Sequence, residues 1–260
     1  MVEFAIQTEN LTKRYGDETA VDSLSLTVPS GAVYGLLGPN GAGKTTTLRM
    51  LTTLTEPTSG EATVAGVPIT NCVGVTERIG YLPAEPPVFE ALTGREQLRY
   101  AGRLQELPTD VATERIDSLL EQFDLEADAD RRISDYSTGM RKKVGIIGTI
   151  LHEPDVVFLD EPTSGLDPRA ARTVREMIKQ LTERDTTVVL CSHVLPVVEE
   201  IADVVGVIHD GELVAEGTPT EIRSSANSAP DLETAFLDIT TDEDEIDSDA
   251  DTLDYHEKPS

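Results

Sequence analysis

The segment Gly38-Pro39-Asn40-Gly41-Ala42-Gly43-Lys44-Thr45-Thr46 has the spacing G-x-x-x-x-G-K-T, between an apolar run at Val33–Leu37 and a stretch of helical periodicity. In that setting the glycines leave backbone N–H groups free to wrap phosphate oxygens, and a helix N-terminus adds partial positive charge. Lys44 would reach the terminal phosphates, and the Thr45 hydroxyl would ligate Mg²⁺. A second apolar run, Val156-Val157-Phe158-Leu159, leads into Asp160-Glu161. Two acids after a strand are ordinarily just a solvated strand end. Beside a phosphate loop, at the edge where parallel sheets bind ligands, they become chemistry. Asp160 can hold Mg²⁺ through water, and Glu161 can accept a proton from an attacking water.

The elements that must position these residues can be read from periodicity. Phe4, Ile6 and Thr8 alternate, as do Leu24, Leu26 and Val28, with turn signals at Gly16-Asp17 and Pro29-Ser30-Gly31. Leu48, Leu51 and Leu54 follow at helical spacing and predict a helix closed by Pro57 and Gly60. Ala62, Val64 and residues 78–82 are strand-like. The middle is helical, with apolar stripes at Leu98/Ala101/Leu104, Ile116/Leu119/Leu120/Phe123 and Met140/Val144/Ile147/Leu151. Asp167 predicts a cap for a helix with Pro168 in its first position and Val174, Met177, Ile178 and Leu181 on one face. Residues 187–190 and 204–208 read as strands, and Asp210-Gly211 as a hairpin turn. Strands that alternate with helices in this way predict an α/β fold with a parallel sheet, interrupted by a helical block at about 90–152.

Charge excludes several partners. The 260 residues carry 21 Lys and Arg against 48 Asp and Glu, a net of −27. A nucleic-acid backbone or an anionic lipid surface would repel such a chain. From residue 231 to 260 there are 12 acidic residues against Lys258 alone, so 240–260 reads as an acidic, disordered tail. The rest still carries 36 acidic against 20 basic residues, with Lys far rarer than Arg, which fits a salt-rich cytoplasm that screens self-repulsion. Cys72 and Cys191 form no pairing motif, the latter reading as a core residue. The N-terminus shows no signal peptide, and the uncharged stretch at 23–43 is too broken by Pro and Gly to insert in a membrane.

Three further segments are specific: Tyr136-Ser137-Thr138-Gly139-Met140, Pro162-Thr163-Ser164-Gly165-Leu166-Asp167, and Cys191-Ser192-His193. With the phosphate loop and the Asp-Glu pair, they make the chain resemble the ATP-binding cassette ATPases, the nucleotide-binding subunits of transporters, over about residues 4–239. The resemblance implies a P-loop NTPase core of RecA-like type, with an N-terminal antiparallel β subdomain and an inserted helical subdomain. It implies ATP and Mg²⁺ as cofactors and a sandwich dimer, either of two copies or with a paired subunit. It also implies a separate membrane permease, with the protein at the cytoplasmic face of the membrane. Tyr15 would stack on adenine. Ser137, Thr138 and Gly139 resemble the signature that binds the γ-phosphate held by the other subunit, although Met140 replaces the usual Gln. Asp167 resembles the residue that couples the two sites, and His193 the switch histidine that contacts the γ-phosphate. The Gln that the family places after the strand at 79–82 is absent, with Ala84 in its position and Glu85 next to it. The single-cassette layout is most similar to export-type members. The rival readings are a cassette ATPase without transport, which would show two cassettes or a coiled-coil insertion, and a P-loop GTPase or kinase, of which a GTPase would show an N-K-x-D motif and neither would explain Tyr136-Ser137-Thr138-Gly139-Met140. No second cassette, coiled-coil insertion or N-K-x-D motif is present.

Overall fold

A computed structural model describes residues 4–226 and 229–240. The expected acidic tail lies outside the described residues from 241 onward. β1 (Phe4–Tyr15) turns through Gly16, at φ 61°, into the antiparallel β2 (Glu18–Leu24), and β3 (Thr27–Pro29) pairs with β1 as well. β4 (Val33–Leu37) leaves this sheet to found a second one, and α1 (Lys44–Leu51) follows it. The chain then returns through β5 (Ser59–Val64) and β6 (Val67–Pro68), so the first sheet is antiparallel with the order β2-β1-β5-β6.

After α2 (Cys72–Thr76), β7 (Ile79–Leu82) enters the second sheet. Three helices come next: α3 (Gly94–Leu104), α4 (Thr109–Gln122) and α5 (Thr138–Ile150). Thr93 starts α3 through a capping box with Glu96. The remaining elements are β8 (Val156–Asp160), α6 (Pro168–Thr182), β9 (Thr187–Cys191), α7 (Leu195–Ile201), β10 (Val204–His209), β11 (Glu212–Gly217), α8 (Pro219–Ser225) and α9 (Leu232–Thr240). The second sheet has the order β11-β10-β4-β9-β8-β7, parallel except for β11, which returns antiparallel through the Asp210-Gly211 turn.

Both faces of this sheet are covered over its central parallel strands, which is why β4, β8 and β9 read as largely apolar, buried runs. Alternate residues feed two separate cores. Val33, Leu37, Val157, Leu159, Val188 and Leu190 pack with the helical layer of α3–α7. Tyr34, Leu36, Val156, Phe158, Val189 and Cys191 pack with α1 and the antiparallel sheet. The helix predicted through Leu54 is shorter than its spacing suggests. It ends at Leu51, Thr53 adopts φ 61°, and Leu54 is exposed, because a left-handed residue ends the helical path four positions before Pro57. Leu104 likewise departs from its stripe: Leu98 is fully buried, while Leu104, at the last turn of α3, is exposed. Among the described residues no helix is long and apolar enough to cross a membrane.

Candidate active site

Strand register assembles the site. Cys191, the last residue of β9, pairs with Leu36 on one side and with Asp160 on the other. The loop after β4 and the Asp160-Glu161 pair therefore emerge at one sheet edge, separated only by β9. Across that gap the Thr45 hydroxyl donates to Asp160 Oδ2 at 3.3 Å.

Two glycines of the loop are needed for different reasons. Gly43 caps α1 at φ 102°, and a Cβ there would lie 2.4 Å from the Ala20 carbonyl. Gly38 has ordinary dihedrals, but its Cβ would fall 2.3 Å from the Ile208 carbonyl on the neighbouring β10. Close approach to neighbouring backbone, as much as conformational freedom, dictates these glycines. Asn40 and Gly41 are exposed, Pro39 is partly buried, Ala42 is buried in the core, and Thr46 is partly buried on α1. Lys44 Nζ lies over the loop, donating to the carbonyls of Gly38 at 2.6 Å and Pro39 at 2.9 Å. No acidic residue occupies the first turn of α1, so its N-terminus keeps its attraction for anions.

Burial raises the pKa of Asp160, while the Thr45 bond and the nearby Lys44 and Arg49 charges oppose the rise and Glu161 adds to it. The same burial, with Asp160 nearby, pushes up Tyr81 on β7 and the Cys191 thiol. Cys191 is a core residue, as expected. Glu161 sits at φ 50°, a left-handed conformation that costs a non-glycine residue about 1–2 kcal/mol. Its N–H donates to the Cys191 carbonyl at 2.9 Å, and its Oε1 meets both His193 Nδ1 at 2.9 Å and the His193 backbone N–H at 3.0 Å. Glu161 Oε2 is buried without a hydrogen-bond partner. A strained acid with one oxygen anchored and the other unsatisfied suits proton abstraction better than structural support.

The two hard oxygen donors at Thr45 and Asp160 fit Mg²⁺, which uses few protein ligands together with phosphate oxygens and water. Among the described residues no cage of three or more His, Cys, Asp or Glu exists, so the metal would depend on the nucleotide for the rest of its shell.

The other predicted residues lie apart from this cluster. Ser137 caps α5, its hydroxyl accepting from Met140 N–H at 3.2 Å, and Thr138 and Gly139 form the first turn. Asp167 caps α6, accepting from the N–H groups of Arg169 and Ala170 at 2.9 Å each, and these bonds hold its pKa down. Tyr15 is half exposed at the tip of the first hairpin, with Lys13 Nζ 5.1 Å from its ring centre. Glu85 is exposed on its loop. Two residues escaped the sequence reading. Phe236 of α9 lines a cavity with Gly38, Pro39, Asn40, Glu161, Ser192 and His193, and Lys142 of α5 lies beneath Glu161. The spacing Leu232/Ala235/Phe236/Ile239 would have revealed the apolar face of α9.

The ABC transporter family profile matches residues 21–164. The daunorubicin/doxorubicin resistance ATP-binding protein of Streptomyces peucetius is 44% identical over 225 residues, 86% of this chain and 68% of that protein. This chain belongs to the ABC transporter family. The bacitracin transport ATP-binding protein of Enterococcus faecalis is 40% identical over 85% of this chain and 72% of its own length. Among solved structures, an ATP-binding subunit of an ABC transporter superposes with TM-score 0.85 at 28% identity, covering 91% of this chain and 100% of that one. A Clostridium perfringens subunit that is part of an ABC transporter complex gives TM-score 0.77 at 26% identity, over 87% and 92%. This chain is therefore an ABC ATPase of P-loop NTPase fold, an ATP-binding and ATP-hydrolysing subunit that powers a membrane transporter.

Proposed function

We propose that this ATPase drives an exporter of drug-like compounds, paired with a second ATPase subunit and a separate permease at the cytoplasmic face of the membrane. The convergence of the phosphate loop, Asp160, Glu161 and His193 at one sheet edge carries the reading of the site. The loop at 38–46 binds the ATP phosphates, and Tyr15 stacks on the adenine. Mg²⁺, held by Thr45 and Asp160, would neutralise charge on the β and γ oxygens. Glu161 takes the proton of the attacking water through Oε2, while His193 holds Oε1 in place and reaches the γ-phosphate. Ser137, Thr138 and Gly139, at an uncapped-by-acid helix start, bind the γ-phosphate held by the partner, and Asp167 links the two sites. Resistance and transport proteins for antibiotics among the relatives support the export reading. Exposed Phe89 and Tyr100, stacked edge to face at 5.4 Å beside Leu104, offer an apolar surface suited to a membrane-protein partner.

Glu161→Gln tests the base. It keeps the shape and the acceptor toward His193 but loses basicity, so ATP binding should persist while turnover falls about 10²–10⁴-fold. The variant should also accumulate as an ATP-bound dimer on size exclusion. Hydrolysis within a few-fold of the native rate would remove Glu161 from this role.

A further inference from the structure

Lys142 is 4% exposed in the second turn of α5, among the apolar Val144, Ile146 and Ile147. A buried ammonium is costly where an apolar side chain would pack freely, so its presence calls for something that only a cation can hold. Its Nζ donates to two backbone carbonyls, those of Glu161 and Ser164, the latter at 3.3 Å. These two residues bound one turn, closed by Ser164 N–H donating to the Glu161 carbonyl at 3.3 Å. The turn begins with the left-handed Glu161, and that backbone conformation brings its Oε1 to His193. Burial lowers the Lys142 pKa, and the Glu161 and Asp160 carboxylates oppose that fall. The same helix begins five residues earlier, at the Ser137 cap.

We propose that Lys142 is a positioning residue for the reaction: it fastens the left-handed turn of Glu161 to the first two turns of α5. Because Nζ grips the carbonyl of the strained residue itself, the orientation of the base depends on where α5 stands. A shift of the Ser137–Gly139 turn then moves the base through one side chain rather than through the sheet. This rests on the reading of Glu161 as the base.

The test compares Lys142→Met, Lys142→Arg, Lys142→Gln and Glu161→Gln in the full chain, measuring kcat and KM for ATP, nucleotide affinity and melting temperature. Lys142→Met should lower kcat at least tenfold while ATP affinity stays within twofold. Lys142→Arg, which keeps the charge and the donors, should recover at least a third of the native kcat. A purely structural lysine would instead lower melting temperature and folded fraction, leaving kcat per folded molecule unchanged. If Lys142→Met does not fold, Lys142→Gln takes its place, and a kcat within twofold of native overturns the proposal. Equal kcat losses in the folded Met and Arg variants overturn it as well. If Glu161→Gln is inactive while Lys142→Met keeps the native kcat, only the role of Lys142 falls. If Glu161→Gln is active, the base reading fails first.

Discussion

Gly38→Ala isolates close packing from backbone freedom, because Gly38 has no positive φ to strain. The added methyl would lie 2.3 Å from the Ile208 carbonyl oxygen and 3.1 Å from Ala42 Cβ. Ordinary C···O contacts begin at about 3.3 Å, so one partner must retreat by about 1 Å. Ile208 belongs to β10, which is paired on both sides by β4 and β11 and holds its place better than a loop does. The loop is therefore the part that yields, carrying its N–H groups off the phosphate positions. Overpacking of this kind costs about 1–3 kcal/mol. Expressed at the ligand, that is a loss of about 5–150-fold in ATP affinity, at a tenfold change per 1.4 kcal/mol. Titration of a fluorescent ATP analogue, with a thermal melt alongside, separates the alternatives. If β10 gives way instead, the cost appears as a fall of about 2–4 °C per kcal/mol in melting temperature. Affinity within twofold of native together with an unchanged melt would refute the packing argument.

Gly148→Ala should do the opposite. Its Cβ would meet Ala101 and Leu98 at 3.6 and 3.9 Å, ordinary contacts in the last turn of α5, so a gain of about 0.4–1 kcal/mol is expected and an unchanged or lower melting temperature would count against it. His152 donates from Nε2 to the Ile79 carbonyl at 2.9 Å and leaves Nδ1 buried without a partner. Burial, aided by nearby Arg115 and opposed by that bond, lowers its pKa, so the unfolded chain binds the proton more readily. Stability should fall as pH drops through about 6.5 and level off below the folded pKa, and melts of His152→Gln should show a flatter slope between pH 7.5 and 5.5. The net charge of −27 should outweigh the mostly exposed ion pairs in the response to salt. Melting temperature should rise from 0.1 to 1 M KCl, as the screening length shortens from about 10 to about 3 Å, and a fall would show that the pairs dominate.

The residues that announced themselves were those whose chemistry needs a fixed local pattern. The 38–46 loop, the Asp160-Glu161 step and the Asp167 cap each depend on neighbours in the chain, and the structure places them at a strand end or a helix start, as their spacing implies. Asp210-Gly211 was legible for the same reason, since a two-residue hairpin of type I′ needs positive φ at both positions, and these residues adopt 48° and 84°. What stayed hidden depends on contacts distant in sequence. Lys142 falls off the Met140/Val144/Ile147 stripe and so reads as solvent-facing. Only a second buried face on α5, through Ile146 and Thr149, would have exposed it. The reason Gly38 must be glycine lies 170 residues away at Ile208. Leu54 misled because its spacing fits a helix that the left-handed Thr53 has already ended.

The division of each central strand between two cores bears on how such a protein can change over generations. Odd positions of β4 and β8 such as Val33, Leu37, Val157 and Leu159 answer to the helical layer. Their even neighbours Tyr34, Leu36, Val156 and Phe158 answer to α1 and the antiparallel sheet. Drift on one side is felt on the other only through the shared backbone, whose registers at Cys191 fix the edge that carries the candidate site. One layer can thus be refitted to a new neighbour while the opposite layer and the strand ends keep their inheritance. The sheet works as a partition that lets two histories proceed in one chain.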